Sequence, residues 1–232
     1  MIIKRKFPWF AEQTWCNIFF FHWPVDPITL QKYIPKPFQL DLFAGKAWVT
    51  VVVFSATNSR FCQMPKWSSI RPVTQINVRT YVSPRTSEEK GVFFLSIHLN
   101  HFIAAVGGRS LFHLPFHYVN VMQQHHSQSI KIISPNNNSK LLNVHYKNKN
   151  KLNDNGLAKF LIERYCIWNV KGNKIIKIPI SHSKWSVQEI ETDVKENELF
   201  VSLNLPRSKP IAYYCPSKHA KLYPYEKFGL LF

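Results

Sequence analysis

The stretch "TQINVRTYV" (residues 74–82) alternates between two kinds of side chain. Successive side chains of a β-strand point to opposite faces, so Asn77, Arg79 and Tyr81 share one face of this stretch. The opposite face carries Ile76, Val78, Thr80 and Val82. The stretch therefore predicts a β-strand that has one apolar face and an arginine at the centre of the other.

Other runs rich in β-branched and aromatic residues lie on both sides of this strand. They cover residues 46–56, 91–100, 116–122, 129–134, 141–147, 160–170, 174–180 and 199–205. Polar turn sequences such as "KGN" (171–173) separate them. Because strands are many and helices few, the sequence predicts a mainly β fold, an antiparallel β barrel with a few peripheral helices.

Two segments have the pattern of a helix. Residues 26–35 begin with Asp26 as an N-cap and Pro27 at the first helical position. Residues 101–112 form the second candidate, although Gly107 and the glycine after it each weaken a helix by about 1 kcal/mol relative to alanine.

Length and composition favour a single domain spanning residues 1–232. No run reaches the roughly 18 apolar residues that a membrane-spanning helix requires. The four cysteines are scattered and form no CxxC pair, which indicates reduced thiols. We therefore expect a cytoplasmic protein.

The formal net charge of +17 is the strongest global signal. Such a charge attracts nucleic acid or an anionic membrane. The lysines are dispersed, however, and no nucleic-acid-binding motif accompanies them. The basic cluster "HYKNKNKLNDNG" (145–156) is interpreted as a solvated hairpin tip. A basic surface without a dedicated partner is therefore favoured, and a homo-oligomer is equally compatible with the sequence.

Several segments resemble the YqjF-like family of uncharacterised bacterial proteins. The first is "WCNIFFFHWPVDPITLQKYIPKPFQLDLFAGKAWVTVVVF" (15–54). It is followed in the same order by "INVRTYV" (76–82), "FLIERY" (160–165), "SHSKW" (181–185) and "YYCP" (213–216). The resemblance implies a fold related to acetoacetate decarboxylase, which is a mainly antiparallel β barrel around an internal pocket.

A second resemblance concerns "AVGGRSLFHLPFH" (105–117), which is similar to the decarboxylase segment A-V-G-R-E-L-S-A-Y-P-K-K. In the decarboxylases the first lysine after the proline forms a Schiff base, and the second lowers the pKa of the first. Here Phe116 and His117 occupy those positions, and phenylalanine cannot form an imine. The resemblance therefore implies the fold without acetoacetate decarboxylase activity, and whether the protein is an enzyme stays open.

His117 is the candidate catalytic residue. Strand alternation places it beside Val119 and Val121, which predicts burial, and a buried neutral imidazole can act as a base. A histidine satisfied by a backbone carbonyl in the core is the alternative. His113 lies four residues before His117, as metal ligands on a helix do, but Pro115 disfavours a helix there, so no metal site is expected.

Arg79 is the candidate ligand-binding residue. An arginine among apolar strands needs a partner, because an unpaired buried charge is costly. A ligand carboxylate and Glu163 are equally suitable partners. Arg109 follows the superfamily's pocket arginine, or it is a charge at a helix end. Glu163 and Arg164 point to opposite faces if residues 160–170 form one strand.

These residues predict a small organic ligand, a carbonyl or carboxylate compound, bound in an internal pocket without a cofactor or metal. The ligand-binding candidates are Arg79, Asn77, Tyr81, Arg109, Phe116 and Glu163, and His117 supplies any acid–base chemistry. The aromatic block "FFFHWPV" (19–25) is assigned to the core. One alternative is a non-enzymatic interaction protein that uses its basic surface on nucleic acid or anionic lipid. A metal-dependent hydrolase is another.

Overall fold

β-strands make up most of the structure, a computed structural model that describes residues 8–61, 72–134, 139–151, 156–202 and 204–230. The strands are β1 (Ala11–Val25), β2 (Phe38–Leu40), β3 (Ala47–Phe61), β4 (Val73–Pro84), β5 (Gly91–Leu99), β6 (Phe116–Tyr118), β7 (Met122–His126), β8 (Ser129–Ser134), β9 (Ser139–Lys151), β10 (Cys166–Lys171), β11 (Lys174–His182), β12 (Gln188–Glu196), β13 (Ile211–Leu222) and β14 (Glu226–Leu230). The helices are α1 (Pro27–Gln31), α2 (Phe102–Phe112), α3 (Gly156–Ile162) and α4 (Glu198–Ser202). The predicted mainly β fold with few helices is confirmed.

Part of the sheet closes on itself. Successive pairings run through β11, β10, β5, β4, β3, β1 and β13, and a further antiparallel pairing joins β13 back to β11. Within this ring the strands are antiparallel, except that β5 and β10 run parallel. The remaining described strands extend the sheet beyond the ring, chiefly as β12, β9, β8 and β7. The ring therefore encloses an interior, as the predicted barrel requires.

Strands β1 and β3 are buried on both faces, which explains their continuous apolar sequences. Phe20 and Val52 point into the ring and belong to its interior cluster. Phe21 and Val51 point outward and pack against the extension formed by β8, β9 and β12. The chain therefore has two main cores that share these strands as a common wall.

The two predicted helices are present. Asp26 caps α1 by accepting a hydrogen bond from the Thr29 backbone N–H at 2.8 Å, but the helix ends at Gln31 and is shorter than the predicted 26–35. Helix α2 matches residues 101–112 and ends at His113, which adopts the left-handed conformation with φ of 54°. This conformation turns the chain toward β6.

Some predicted strands are wrong. Residues 160–162 belong to α3 and residues 199–202 to α4, so Glu163 and Arg164 lie in the turn between α3 and β10. The predicted strand 116–122 is interrupted after Tyr118. The predicted hairpin tip at 145–156 is also wrong as far as residue 151, because that part of β9 pairs with β12. Residues 152–155 lie outside the described residues.

None of the helices in the described ranges is both long enough and apolar enough to cross a membrane.

Candidate functional site

A row of polar side chains crosses the interior of the ring. His22 on β1 lies opposite Thr50 on β3, and Thr50 lies opposite Arg79 on β4. His22 and Thr50 are completely buried. The row lies within a largely apolar interior, and buried polar groups of this kind need hydrogen-bond partners.

The side chains of this row form a hydrogen-bonded chain with Tyr81. The His22 Nδ1 atom lies 2.8 Å from Thr50 Oγ1, and Thr50 Oγ1 lies 2.6 Å from the Tyr81 hydroxyl. The Tyr81 hydroxyl donates to the Leu161 carbonyl oxygen at 2.8 Å. Burial raises the pKa of the Tyr81 phenol, which stays protonated. The chain thus links β1, β3 and β4 to the end of α3.

Arg79 lies beside this hydrogen-bonded chain, and not all of its N–H donors have an acceptor among the described residues. Its Nη2 atom makes a 3.4 Å contact with the Leu161 carbonyl oxygen, and its guanidinium lies 5.7 Å from the centre of the Phe20 ring. Its Nε atom is buried and has no hydrogen-bond partner among the described residues. Burial lowers the pKa of the guanidinium.

Arg79 is not completely enclosed. Its guanidinium lies deep among protein atoms, yet part of the residue's surface stays accessible. The predicted grouping of Arg79 and Tyr81 on one face of β4 therefore places them together in the ring interior.

Two tryptophans add further hydrogen-bond donors to this interior. The indole N–H groups of Trp48 and Trp185 are buried and lack an acceptor in the described part of the chain. Trp185 packs edge-on against Phe20, with ring centres 5.2 Å apart. Both tryptophans belong to or pack against the interior cluster. The interior therefore contains several donors for which the described residues provide no acceptor.

Tyr81 is held from its other side by a buried ion pair. The Arg164 Nη1 atom donates to Asp41 Oδ2 at 2.7 Å, and both residues are 8% exposed. Lys90 contacts the second oxygen of Asp41 at 2.9 Å. The Arg164 guanidinium lies 5.0 Å from the centre of the Tyr81 ring. This network holds the Tyr81 ring in the position in which its hydroxyl bonds to Thr50 and to the Leu161 carbonyl oxygen.

Two other predicted residues of the interior have different roles. Asn77 is buried, and its side-chain oxygen accepts a 2.8 Å hydrogen bond from Gln75. Glu163 accepts from the Trp185 backbone N–H at 2.9 Å and from the Tyr165 hydroxyl. The structure therefore engages Glu163 with these donors, and no Arg79–Glu163 ion pair occurs in the described ranges.

The remaining predicted residues lie elsewhere. His117 is exposed, so its predicted burial is wrong, because β6 is a short strand at the sheet margin where His117 and Tyr118 face solvent. Its ring stacks on His98 at 5.3 Å. Arg109 donates to the Phe116 carbonyl oxygen, with its Nε at 3.1 Å.

Arg109 and His117 line a surface groove of about 960 Å³ together with His113. Val49 and Val78 form part of its wall. Each of these valines precedes a residue of the polar row and faces the opposite side of the sheet. The structure therefore does not bring His117 and Arg79 into one pocket.

Sequence reasoning missed a buried lysine near the interior. Lys218 on β13 is 7% exposed, and its ammonium lies 5.1 Å from the centre of the Trp185 ring. It donates to Ser183 Oγ at 3.2 Å and to the Lys184 carbonyl oxygen at 2.9 Å. The segment "SHSKW" (181–185) enters the sequence analysis only as part of a family resemblance, and nothing in the spacing predicts its contact with Lys218.

His22 and Thr50 were missed for a related reason. The sequence assigns His22 to an aromatic core segment, and it is indeed buried, but its hydrogen-bond partner Thr50 lies 28 residues away along the sequence. Tyr81, which bonds to Thr50, lies a further 31 residues away. The available signal was the alternation of Phe20 and His22, which places both on the inner face of β1.

The comparisons with known proteins agree with this architecture. A family model, DUF2071, "Uncharacterized conserved protein (COG2071)", matches residues 12–219. The chain is 29% identical over 228 residues to the uncharacterized protein YqjF of Bacillus subtilis (strain 168), which covers 95% of this chain and 93% of that protein. The predicted resemblance to the YqjF-like family is therefore confirmed.

Solved structures with the same fold include acetoacetate decarboxylase from Legionella pneumophila, with a TM-score of 0.64 and 13% identity over 99% of this chain and 93% of that one. The enduracididine biosynthesis enzyme MppR complexed with pyruvate has a TM-score of 0.67 and 8% identity, over 97% of this chain and 92% of that one. At such identities the likeness shows the fold alone, and the predicted acetoacetate-decarboxylase-like fold is confirmed. With its family match over most of its length, the chain belongs to the DUF2071 family of uncharacterized conserved proteins.

Proposed function

We propose that this protein binds a small organic compound carrying a carboxylate inside the ring of strands, with Arg79 as the residue that holds the carboxylate. The observation that carries the proposal is the buried Nε–H of Arg79, which has no acceptor among the described residues. A guanidinium offers two parallel N–H groups to a carboxylate, which is the geometry that planar anions require.

The energetics of burial support an anionic ligand. Ion pairs occur in the described ranges at Asp41 and at several surface positions, but none involves Arg79. An unpaired charge inside an apolar ring is costly unless a partner arrives. A ligand carboxylate supplies this partner, and the Trp48 and Trp185 indoles supply donors for a further oxygen. MppR, a protein of the same fold, was solved with pyruvate.

The proposal concerns binding without Schiff-base chemistry. Phe116 and His117 stand at the positions that the resemblance assigns to the decarboxylase lysines. His117 lines the surface groove, and Phe116 packs against the interior cluster with a side chain that cannot form an imine. Treatment with borohydride in the presence of pyruvate should leave the mass of the protein unchanged. A reduced adduct on Lys218 would overturn this part of the proposal.

Calorimetric titration with pyruvate tests the ligand site. The wild type should bind, and Arg79→Met should weaken binding by about thirty-fold or more, because losing a buried charged hydrogen bond costs at least about 2 kcal/mol. Arg79→Met should also unfold at equal or higher urea concentration than the wild type, since it removes an unpaired buried charge. The matched control is Arg207→Met at an exposed position, which should leave binding unchanged.

The combination of these two results is decisive. A residue that matters only for the fold would lose stability together with binding. Pyruvate binding that persists in Arg79→Met, or no saturable binding to the wild type, would refute the proposed site.

A second candidate function rests on the exposed face of α2. Phe102, Ile103 and Val106 are 63%, 68% and 50% exposed, and residues 90–153 contain no Asp or Glu. An apolar helix face on a basic surface suits the headgroup region of an anionic membrane. Wild type should sediment with phosphatidylserine vesicles and Ile103→Ser should not. If both proteins sedimented equally, the net positive charge alone would explain vesicle binding, and the role of the α2 face would be refuted.

A further inference from the structure

His22 has one ring nitrogen with a partner and one without. Its Nδ1 atom lies 2.8 Å from Thr50 Oγ1. Its Nε2 atom is buried and lacks a partner within the described ranges. Whether that orphan nitrogen carries a proton decides which kind of ligand atom can satisfy it.

The direction of the hydrogen bonds fixes the tautomer. A carbonyl oxygen only accepts, so the single hydroxyl proton of Tyr81 goes to the Leu161 oxygen. Tyr81 must then accept from Thr50, whose own proton is used in that bond. Thr50 in turn must accept from His22, so Nδ1 carries the ring proton. The Nε2 atom is therefore left with a lone pair.

The surroundings keep this imidazole neutral. The pKa of His22 lies well below its usual value. Burial is the larger cause of this shift, and the positive charge of Arg79 is the smaller one. The carboxylates of Asp41 and Glu163, which could favour the charged form, are engaged by Arg164 and by Tyr165 respectively. The His22 Nε2 atom is thus a buried acceptor without a donor among the described residues, beside the donors already described.

His22 and Arg79 border the same region. The His22 ring is parallel to the Phe20 ring at 6.0 Å, and the Arg79 guanidinium lies 5.7 Å from the same ring. Both residues flank Thr50, since β1 and β4 are the two neighbours of β3. With neighbouring strands about 4.8 Å apart, the two side chains project from positions about 10 Å apart. A small acid that is held by Arg79 can therefore present a second group to His22.

We infer that His22 is a specificity-determining residue whose Nε2 lone pair accepts a hydrogen bond from a hydroxyl group of the ligand, so that the site selects hydroxy acids. This inference rests on the proposed function. In a 2-hydroxy acid the hydroxyl donor is attached next to the carboxylate, so one short molecule satisfies Arg79 and His22 together. A keto oxygen offers only lone pairs and does not satisfy Nε2, so lactate should bind more tightly than pyruvate.

The tautomer is tested on the protein without ligand. Long-range nitrogen–proton NMR correlations of histidine distinguish the two ring nitrogens, and His22 should appear as the Nδ1–H form. Thr50→Ser keeps the hydroxyl and should keep this form, whereas Thr50→Val should lose its fixed tautomer. An Nε2–H form in the wild type would overturn the inference whatever the ligand does.

Selectivity is tested with DL-lactate and propionate, which differ by one hydroxyl group. The wild type should bind lactate about five- to tenfold more tightly, the ratio that one neutral hydrogen bond contributes. His22→Asn keeps an amide donor near Thr50 but lacks a group at the Nε2 position, so the ratio should fall to about one because the lactate affinity falls by more than the propionate affinity. The control is His219→Asn at an exposed position of β13.

The outcomes separate this inference from the proposed function. Equal affinity for lactate and propionate, lost in Arg79→Met, would overturn the role of His22 and leave the carboxylate site standing. No binding of either acid to the wild type would overturn both. If His22→Asn fails to fold, the wild-type tautomer and the lactate-to-propionate ratio still decide the inference.

Discussion

Replacing Thr50 by valine tests how much the buried hydrogen-bonded chain stabilises the fold. Valine has nearly the shape of threonine, but a methyl group replaces the hydroxyl. Two bonds are lost: the His22 Nδ1–H loses its acceptor at 2.8 Å, and the Tyr81 hydroxyl loses its incoming donor at 2.6 Å. All three residues are completely buried, so no bulk water replaces the missing groups.

The magnitude follows from these two losses. An orphaned buried donor costs about 1–3 kcal/mol, and a lost neutral hydrogen bond costs about 1 kcal/mol. Thr50→Val should therefore lower the free energy of unfolding by about 2–4 kcal/mol. Thr50→Ser keeps the hydroxyl and loses one methyl group, which costs about 1 kcal/mol. The valine variant should thus be less stable than the serine variant by about 1–3 kcal/mol.

Urea unfolding followed by tryptophan fluorescence measures this difference, with equal m-values confirming that both variants unfold alike. The double variant Thr50→Val/Tyr81→Phe should cost less than the sum of the single changes, because both remove the same Thr50–Tyr81 bond. If valine were as stable as serine at position 50, the hydrogen-bonded chain would contribute nothing and the fixed His22 tautomer would lose its basis.

Three further predictions concern stability. The folded-state pKa of His22 is lowered below 6.5, so at lower pH the unfolded protein binds a proton that the folded protein does not. The free energy of unfolding should therefore fall as the pH drops below about 6.5. In urea titrations His22→Asn should reduce the slope of this fall by up to about 1.4 kcal/mol per pH unit. Asp41→Asn leaves the Arg164 guanidinium buried without its counter-charge and should cost about 3–5 kcal/mol in the same assay. Gly107→Ala in α2 meets no atom within 4 Å and should raise the thermal midpoint with a gain of about 0.5–1 kcal/mol. Gly91→Ala should lower the midpoint, because its added Cβ would lie 2.6–2.8 Å from the Trp168 and Cys166 side chains and the Cys166 carbonyl oxygen.

The fold was predictable where local pattern and tertiary packing agree. The alternation of residues 74–82 placed Arg79 and Tyr81 on one face of β4, and the structure has them inside the ring. The continuous apolar sequences of β1 and β3 arise because both faces of these strands are buried. Such patterns depend only on neighbours in sequence, so sequence alone reveals them.

The short helices were not predictable in the same way. The apolar residues of α3 form a run that suits a strand and a helix equally, and a helix this short has too few turns to show its period. Its direction matters for the site, because the Leu161 carbonyl near its end orients the whole polar chain. The misassigned segment therefore also hid the acceptor on which the His22 tautomer depends.

The site itself depends on contacts between distant parts of the sequence. The bonds from Thr50 to His22, from Tyr81 to Thr50 and from Tyr81 to Leu161 span 28, 31 and 80 residues. They form only because the strands are ordered in a closed ring, which a single sequence does not specify. His117 failed as a prediction for the same reason: alternation within a strand says which residues share a face, but not which face is covered.

Phe116, which stands where the decarboxylase segment has a lysine, is part of the packing between α2 and β6. A Cβ atom at Gly108 would lie 2.7 Å from the Phe116 ring, so the helix approaches this ring as closely as glycine allows. Phe116 also packs against the interior cluster. Restoring a lysine there would remove this packing and would leave a charge beside apolar side chains. In this chain residue 116 serves the packing of α2 and the interior cluster, and the proposed ligand site depends instead on the row of His22, Thr50 and Arg79.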